Sequence, residues 1–422
     1  MLTRLIVELS FARSNASKCF VREACTVNVE LVSNSGADKG GDLGRIEQKQ
    51  TQRGHSQRNQ SLDVLRCIAV LLVLGVHDPY YHFWWRTGWI GVDLFFVLSG
   101  FLISGLLFKD YQAHGSIDWR RFLVRRGFKI YPSYYVLLGV TGLLLSLDAR
   151  NGQWFGRVND FGHIIRVSAA FLTNYRREAL VPPFGHLWSV AVEEHFYVLL
   201  PGMLILLAKR RTRDPFAWVL ILFPLTAFLC LALRCFTVPR WQIVDATHLR
   251  IDSLFAGVAL GYLYHFRRGW FDRLAGTRWS LVAAGVFCSP ALFLAENTRK
   301  MQTVGLTSLY IGFALLVAWS INRSPRGRVA GAIFKAAASV GFYSYSIYLW
   351  HDLLSMFITS WANSAIPFWS YIFMSIALGI VMSKAIEMPA LALRDRLFPA
   401  ATAPPAASIP GQMVAAPDST RY

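Results

Sequence analysis

The chain has 422 residues, of which 54% are hydrophobic and only 16% charged, yet its formal net charge is +18. A soluble domain carries about 25% charged residues, and disordered chains are poor in apolar residues, so neither class fits. The excess of Lys and Arg points to nucleic acid or to membrane, and the placement of the charge separates the two.

Residues 1–60 read as a flexible cytoplasmic extension, polar and Gly-bearing from Ser33 to Gly44 and rich in Gln and Arg from Glu47 to Gln60. From Leu62 the pattern changes to long apolar runs. A membrane-spanning helix needs about 20 mostly apolar residues. Ten runs qualify: 61–79, 88–108, 127–147, 187–208, 216–236, 248–266, 279–295, 303–321, 338–360 and 366–387. Gly91, Gly100, Gly105, Gly257, Gly261 and Gly341 fall where helices can pack closely. The loop 148–186 contains a semi-apolar stretch at 163–173 and the pair Pro182-Pro183, which suggests a re-entrant or interfacial element. Residues 399–422, rich in Ala and Pro, read as a disordered tail.

The connections alternate in charge. Arg120, Arg121, Arg125 and Arg126, then Lys209, Arg210, Arg211 and Arg213, then Arg267, Arg268, Arg273 and Arg278, then Arg323, Arg326, Arg328 and Lys335 fall on one side. Such an excess marks cytoplasmic loops, and it places both termini in the cytoplasm. The expected architecture is therefore an all-α polytopic membrane protein of about ten transmembrane helices, spanning residues 61–398. A nucleic-acid reader would gather its charge on one face; here the charge is dealt out between spans, so no nucleic acid is expected. None of the six cysteines forms a C-x-x-C pair, and four lie in apolar runs, where a thiol acts as a small hydrophobe. No metal or disulfide framework is expected.

Ionisable groups inside spans are costly and mark candidate sites. Here they are Arg66, His77, Asp93, Lys129, Glu193, Glu194, His195, Arg250, Asp252, His351, Asp352 and Glu387. Arg66 and His77 are separated by about 16 Å of helix rise and close to three turns, so they share a face. A plainer reading stays open: Arg66 snorkels inward while His77 sits in the outer interface. Asp93, within the run Gly91 to Ile103 that also holds Ser99, serves either a hydrogen-bonding or a site role. The cations Arg125, Arg126 and Lys129 at the approach to the third span suit lipid headgroups or the phosphates of a nucleotide-like ligand, or simply obey the charge rule. Glu193 and Glu194 diverge by about 100° on a helix, so one is expected in the site and the other in the structure.

These stretches, taken together, resemble the acyltransferase-3 family of integral membrane proteins, which includes O-antigen and nodulation-factor acetylases. The resemblance rests on Leu65-Arg66 through His77, the Gly91 to Ile103 run, the basic stretch ending at Pro132, His186 to Tyr197 (with Trp188), Arg250 to Gly257, Gly341 to His351, and Glu387-Met388-Pro389. They occur in the family's order across residues 61–398. The resemblance implies a ten-helix domain that moves an acyl group, usually acetyl from acetyl-CoA, to a hydroxyl of a cell-surface or exported carbohydrate. Its arginine–ten residues–histidine motif falls on Arg66 and His77. Its RxxR motif falls on Arg126 and Lys129, where lysine keeps the charge but loses the bidentate fork.

The resemblance thus implies catalytic roles for His77, Arg66, Glu194 and Glu193, with a glutamate orienting the imidazole. It implies donor binding by Arg125, Arg126 and Lys129, with Asp93, Ser99, Trp188, His351 and Glu387 as further site candidates. No tightly bound cofactor is expected; acetyl-CoA or another acyl-CoA is the co-substrate. The other partners are a glycan or lipid-linked saccharide and membrane lipid, in a bacterial cytoplasmic membrane. Some family members carry a soluble SGNH esterase-like domain after the membrane part; none is expected here. The alternative is a secondary transporter exporting a sugar or acylated metabolite. Many transporters show inverted repeats, and no internal repeat is visible.

Overall fold

The computed structural model describes residues 59–399, apart from 79–83, 85, 152–160, 211, 242–244, 322, 324, 326 and 362–365. The extension 1–58 and the tail 400–422 lie outside the described residues. Among the described residues there are helices and no strands. Six helical segments are long and apolar enough to cross a membrane: Gly88–His114, Trp119–Leu147, Leu187–Ala208, Pro215–Thr237, Met301–Ser320 and Phe368–Leu397. Shorter or more polar helices pack among them. The chain is an integral membrane protein of the all-α class.

In chain order, α1 is Gln60–Val76, α2 Gly91–His114, α3 Trp119–Asn151, α4 Phe161–Ala169 and α5 Leu187–Ala208. Next come α6 Val219–Trp241, α7 Thr247–Phe266, α8 Arg268–Gly276, α9 Arg278–Cys288 and the single turn α10 Pro290–Phe293. The last are α11 Leu306–Ser320, α12 Arg328–Phe342, α13 Ser344–Trp361, α14 Phe368–Met382 and α15 Met388–Leu397. Local chemistry sets several of these ends. Asn59 caps α1 by accepting a hydrogen bond from the Ser61 amide at 3.0 Å. Gly115 closes α2 in the left-handed region at φ 68°, with its N–H on the Tyr111 carbonyl.

Among the described residues, six of the ten expected runs correspond to these spanning segments, and two differences concern where helices begin and end. The run 338–360 is broken at Tyr343, so that α12 ends and α13 begins within it. The run 127–147 is the inner part of a longer helix that starts at Trp119, so Arg125, Arg126 and Lys129 lie inside α3. Both differences have one cause: hydropathy records where a segment is apolar, whereas helix ends follow backbone hydrogen bonding and packing.

Nearly every face of α7 is buried, and α7 packs along α2. Their backbones meet at glycine: a Cβ on Gly100 would lie 1.9 Å from the Leu254 carbonyl oxygen, and one on Gly257 2.2 Å from that of Val97. Gly341 at the end of α12 approaches the start of α1 as tightly, with a Cβ 1.7 Å from the Asp63 oxygen.

The 161–185 segment is folded into the bundle. The Tyr134 hydroxyl, midway along α3, donates to the Ser168 carbonyl at 2.7 Å. Asn174 donates to Thr247, which also meets His195, eight residues into α5. Eight residues are about 12 Å of helix, so this stretch enters the bundle as a re-entrant element. Non-helical backbone is tolerated at such depth only where protein or a cavity surrounds it.

Candidate active site

Two cavities share a wall. The first has a volume of about 100 Å³ and is lined by Arg66, Ser99, Arg126, Lys129, Glu193 and Tyr197, among others. The second has a volume of about 500 Å³, and its lining includes His77, His186, Asp245, Arg250, Glu296 and Asp352. Val92 and Tyr348 line both. Arg66 and His77, three turns apart on one helix, thus serve different chambers. A third, more open cleft of about 490 Å³ carries Lys109, Arg121, Arg125 and Arg394. Arg126 lines both this cleft and the first cavity.

His77 is the C-cap of α1. Its Nδ1 lies 2.9 Å from the Val73 carbonyl oxygen. A carbonyl can only accept, so Nδ1 carries the hydrogen and Nε2 keeps its lone pair. The Ser355 hydroxyl donates to the His77 carbonyl at 3.0 Å, which ties the cap to α13. The His77 ring meets His351 edge-on at 4.8 Å between centroids, and His351 meets His186 at 5.1 Å. His351 follows the same rule. Its Nδ1 donates to the Tyr348 carbonyl, and its buried Nε2 has no hydrogen-bond partner. His186 differs, with Nε2 on the Leu349 carbonyl at 3.2 Å and Nδ1 facing the Asp352 carboxylate at 3.3 Å. With Nε2 donating to that carbonyl, Nδ1 is the nitrogen that faces Asp352. The Tyr348 hydroxyl donates to the His186 carbonyl at 2.8 Å and meets Ser189 at 2.6 Å.

The structure therefore brings His351, His186 and Asp352 to His77, and neither Glu193 nor Glu194. Glu193, in the first cavity, accepts from Ser99 at 2.8 Å and from Tyr197. Glu194, one position on, turns to the Tyr131 hydroxyl at 3.1 Å and leaves its Oε1 buried without a partner. The two glutamates diverge as helix geometry requires. Their separation from His77 corrects the expectation that one of them orients its imidazole. Arg66 pairs with Asp63 at 3.5 Å, one turn earlier.

Arg125, Arg126 and Lys129 of α3 have unequal freedom. Lys129 is ion-paired with Glu387, whose other oxygen accepts from Ser346 at 2.7 Å and Ser383 at 3.1 Å. Arg125 pairs with Asp395 at 3.0 Å and donates to the Phe398 carbonyl. Arg126 lies 5.0 Å over the Tyr197 ring, its Nε unpartnered, and among the described residues no carboxylate pairs with it. Of these three, Arg126 alone presents a cation not paired with a carboxylate among the described residues. Glu387 is thus a lock on Lys129.

Asp93 and Trp188 take places that spacing leaves open. Both oxygens of Asp93 accept from Arg250 at 3.0 Å, and the Arg250 guanidinium lies 5.4 Å over the Trp188 ring. Arg234 and Asp252 form a second pair, fully buried, with bonds of 3.2 and 2.8 Å. Arg234, inside an apolar run, escaped notice for want of a local partner; Asp252 is 18 residues away. His186 and Asp352 were visible as residue types, but nothing in their spacing links them to His77. Outside the spans, burial lifts the Asp245 carboxyl to about 7; Arg250 and Arg177 pull it back, and Glu296 pushes it further up.

An integral membrane bundle with a bare imidazole nitrogen on one side of a wall and uncommitted arginine on the other is suited to group transfer between two polar ligands. The sequence matches the acyltransferase-3 family, described as an acyltransferase domain, over residues 59–387, and the chain belongs to that family. It is similar to the peptidoglycan O-acetyltransferase OatA of Listeria monocytogenes, with 27% identity over 325 residues, covering 72% of this chain and 50% of that protein. It is also similar to the O-acetyltransferase OatA of Staphylococcus aureus, with 26% identity over 322 residues, covering 74% of this chain and 53% of that one. The chain spans about half the length of the curated relatives it matches. No solved structure matches it.

Proposed function

We propose that this chain is a membrane-bound O-acetyltransferase that moves acetyl from acetyl-CoA to a hydroxyl of a cell-surface glycan. The observation that carries the reading is the pair of cavities sharing a wall, one lined by Arg66 and Arg126 and the other by His77. The positive-inside pattern supports an arrangement with the start of α1, and with it the arginine cavity, on the cytoplasmic side; the membrane in this reading is the cytoplasmic membrane of a bacterium. Acetyl-CoA is a cytoplasmic polyanion. Its nucleotide phosphates suit the basic cleft, and Arg126 leads from that cleft into the first cavity, where the pantetheine arm would lie. The glycan reaches the histidine cavity from the outer side.

At the shared wall, His77 Nε2 takes the proton from the glycan hydroxyl. The oxygen attacks the thioester carbonyl carbon, the carbon–sulfur bond breaks, and the thiolate of CoA leaves and is protonated. A positioned base contributes about 10²–10⁴-fold to such a step. His351, pressed edge-on against His77 and braced by the His186–Asp352 pair, holds the ring in place. Arg66 and Arg126 stabilise the donor and the negative charge that develops on its carbonyl oxygen.

The test uses the full chain in detergent with labelled acetyl-CoA and glycan from the host envelope stripped of its O-acetyl groups. Label should appear in alkali-labile ester on the glycan, and His77→Ala should abolish it with membrane insertion intact. Unchanged transfer by His77→Ala would remove the base; no ester with the wild-type chain would sink the reading. Transport of glycan across vesicles without ester formation would favour an exporter.

A further inference from the structure

Beside the histidine cavity lies another, more open one that the transfer step does not use. It has a volume of about 280 Å³, and its lining includes Asn174, Tyr175, Arg176, Thr237, Asp245 and His248. Leu180 and Asp245 line both cavities, so the two adjoin.

Three features equip this side cavity for a polar ligand. Asn174 is only 5% exposed. Its Nδ2 donates to Thr247 Oγ1 at 2.8 Å, while its Oδ1 is buried with no partner. Buried amide oxygens are almost always hydrogen-bonded, so an orphan lining a cavity asks for a donor from a ligand. Thr247 cannot supply it, because its oxygen lies 2.6 Å from His195 Nδ1 and is already engaged by the Asn174 amide. Tyr175 stacks on His248 with centroids 5.8 Å apart and planes 19° from parallel. Tyr175 is 48% exposed, so an aromatic platform stands at the mouth. Arg176 is exposed beside it, and Asp245 bridges to the histidine cavity.

An aromatic platform with convergent amide, carboxyl and guanidinium groups suits a sugar ring, which offers a C–H face for stacking and hydroxyls for hydrogen bonds. We infer that the side cavity is a subsite for a second sugar residue of the acceptor chain, so that the protein acts on an oligomeric glycan and discriminates against a free monosaccharide. The inference rests on the proposed O-acetyl transfer. The Asp245 carboxyl, lifted to about 7 by burial, can donate as well as accept toward hydroxyls on both sides of the junction.

The experiment offers the full chain fragments of one, two and four sugars, cut from host envelope glycan after removal of its O-acetyl groups, with labelled acetyl-CoA as donor. Wild type should favour the tetrasaccharide over the monosaccharide by about tenfold or more in kcat/KM, which is one good polar or stacking contact at about 1.4 kcal/mol. Tyr175→Ala and Asn174→Ala should each raise KM for the two longer fragments and bring that ratio toward one. Tyr175 is exposed, so its variant keeps the test valid where Asn174→Ala fails to fold. Equal use of all three fragments by wild type overturns the inference, as does full length selectivity in Tyr175→Ala. A wild-type chain that transfers to none of them overturns the transferase reading, and the subsite with it. His77→Ala should lose transfer to every length, which separates failure of the base from failure of the subsite.

Discussion

The α2–α7 interface and the junction of α1, α5 and α13 both bury ionisable side chains among apolar helices, and they do so in opposite ways. At the first, Asp93 accepts from Arg250 with both oxygens, and at the neighbouring α6–α7 contact Asp252 does the same with Arg234. At the second, His351 keeps a buried nitrogen without a partner, and His77 lines a cavity with its Nε2 lone pair unclaimed by the helix. The difference teaches that charge inside a membrane does not by itself mark a reactive site. A carboxylate whose oxygens are matched by one guanidinium holds helices together. A base whose second nitrogen faces a chamber is available for chemistry.

The sharpest way to break this comparison is to remove one member from each side. His77→Ala should lower transfer by about 10²–10⁴-fold while the thermal midpoint in detergent stays near that of the wild type. Asp93→Ala should do the reverse. It strands Arg250 in a buried site at a cost of about 3–5 kcal/mol, read as loss of folded protein in size-exclusion chromatography. Replacing the pair together, as Asp93→Leu with Arg250→Met, should recover most of that stability, because apolar residues of similar volume often match a buried ion pair. A double variant no more stable than the single would show that the pair does more than join helices.

A smaller contrast lies within α3. Arg126→Ala should raise the apparent KM for acetyl-CoA by about tenfold, the scale of one charge-assisted contact. Lys129→Ala should leave that KM near its wild-type value and lower the thermal midpoint, since it uncovers Glu387. The opposite pattern would mean that the Lys129–Glu387 pair opens to receive the donor.

A last contrast concerns pH dependence. Asp245 faces Arg250, Arg177 and Glu296, and its pKa rises from 3.8 to about 7 on folding. A raised carboxyl pKa means that the folded chain holds a proton the unfolded chain has released. The stability tied to it is present below the unfolded value and is lost as pH rises toward about 7. Asp245→Asn should therefore be more stable than wild type above that pH and indistinguishable from it well below 3.8. Parallel melting curves for the two proteins across the range would show that Asp245 is solvated in the native state.

Much of the architecture was legible from the sequence because it rests on local properties. An apolar run of about 20 residues becomes a membrane helix whatever its neighbours. Helix rise places Arg66 and His77 about three turns apart, and adjacency sends Glu193 and Glu194 to different faces. The order of the charged and small residues sufficed for the family resemblance. Tertiary structure alone decided the partners. Lys129 meets Glu387 across 258 positions, Arg250 meets Asp93 across 157, and His186 meets Asp352 across 166. Each pair joins two helices, and helical periodicity says which face of a helix is apolar without saying which other helix covers it. So the sequence marked out the ionisable residues, and only packing sorted them into those that brace the bundle and those that line its chambers.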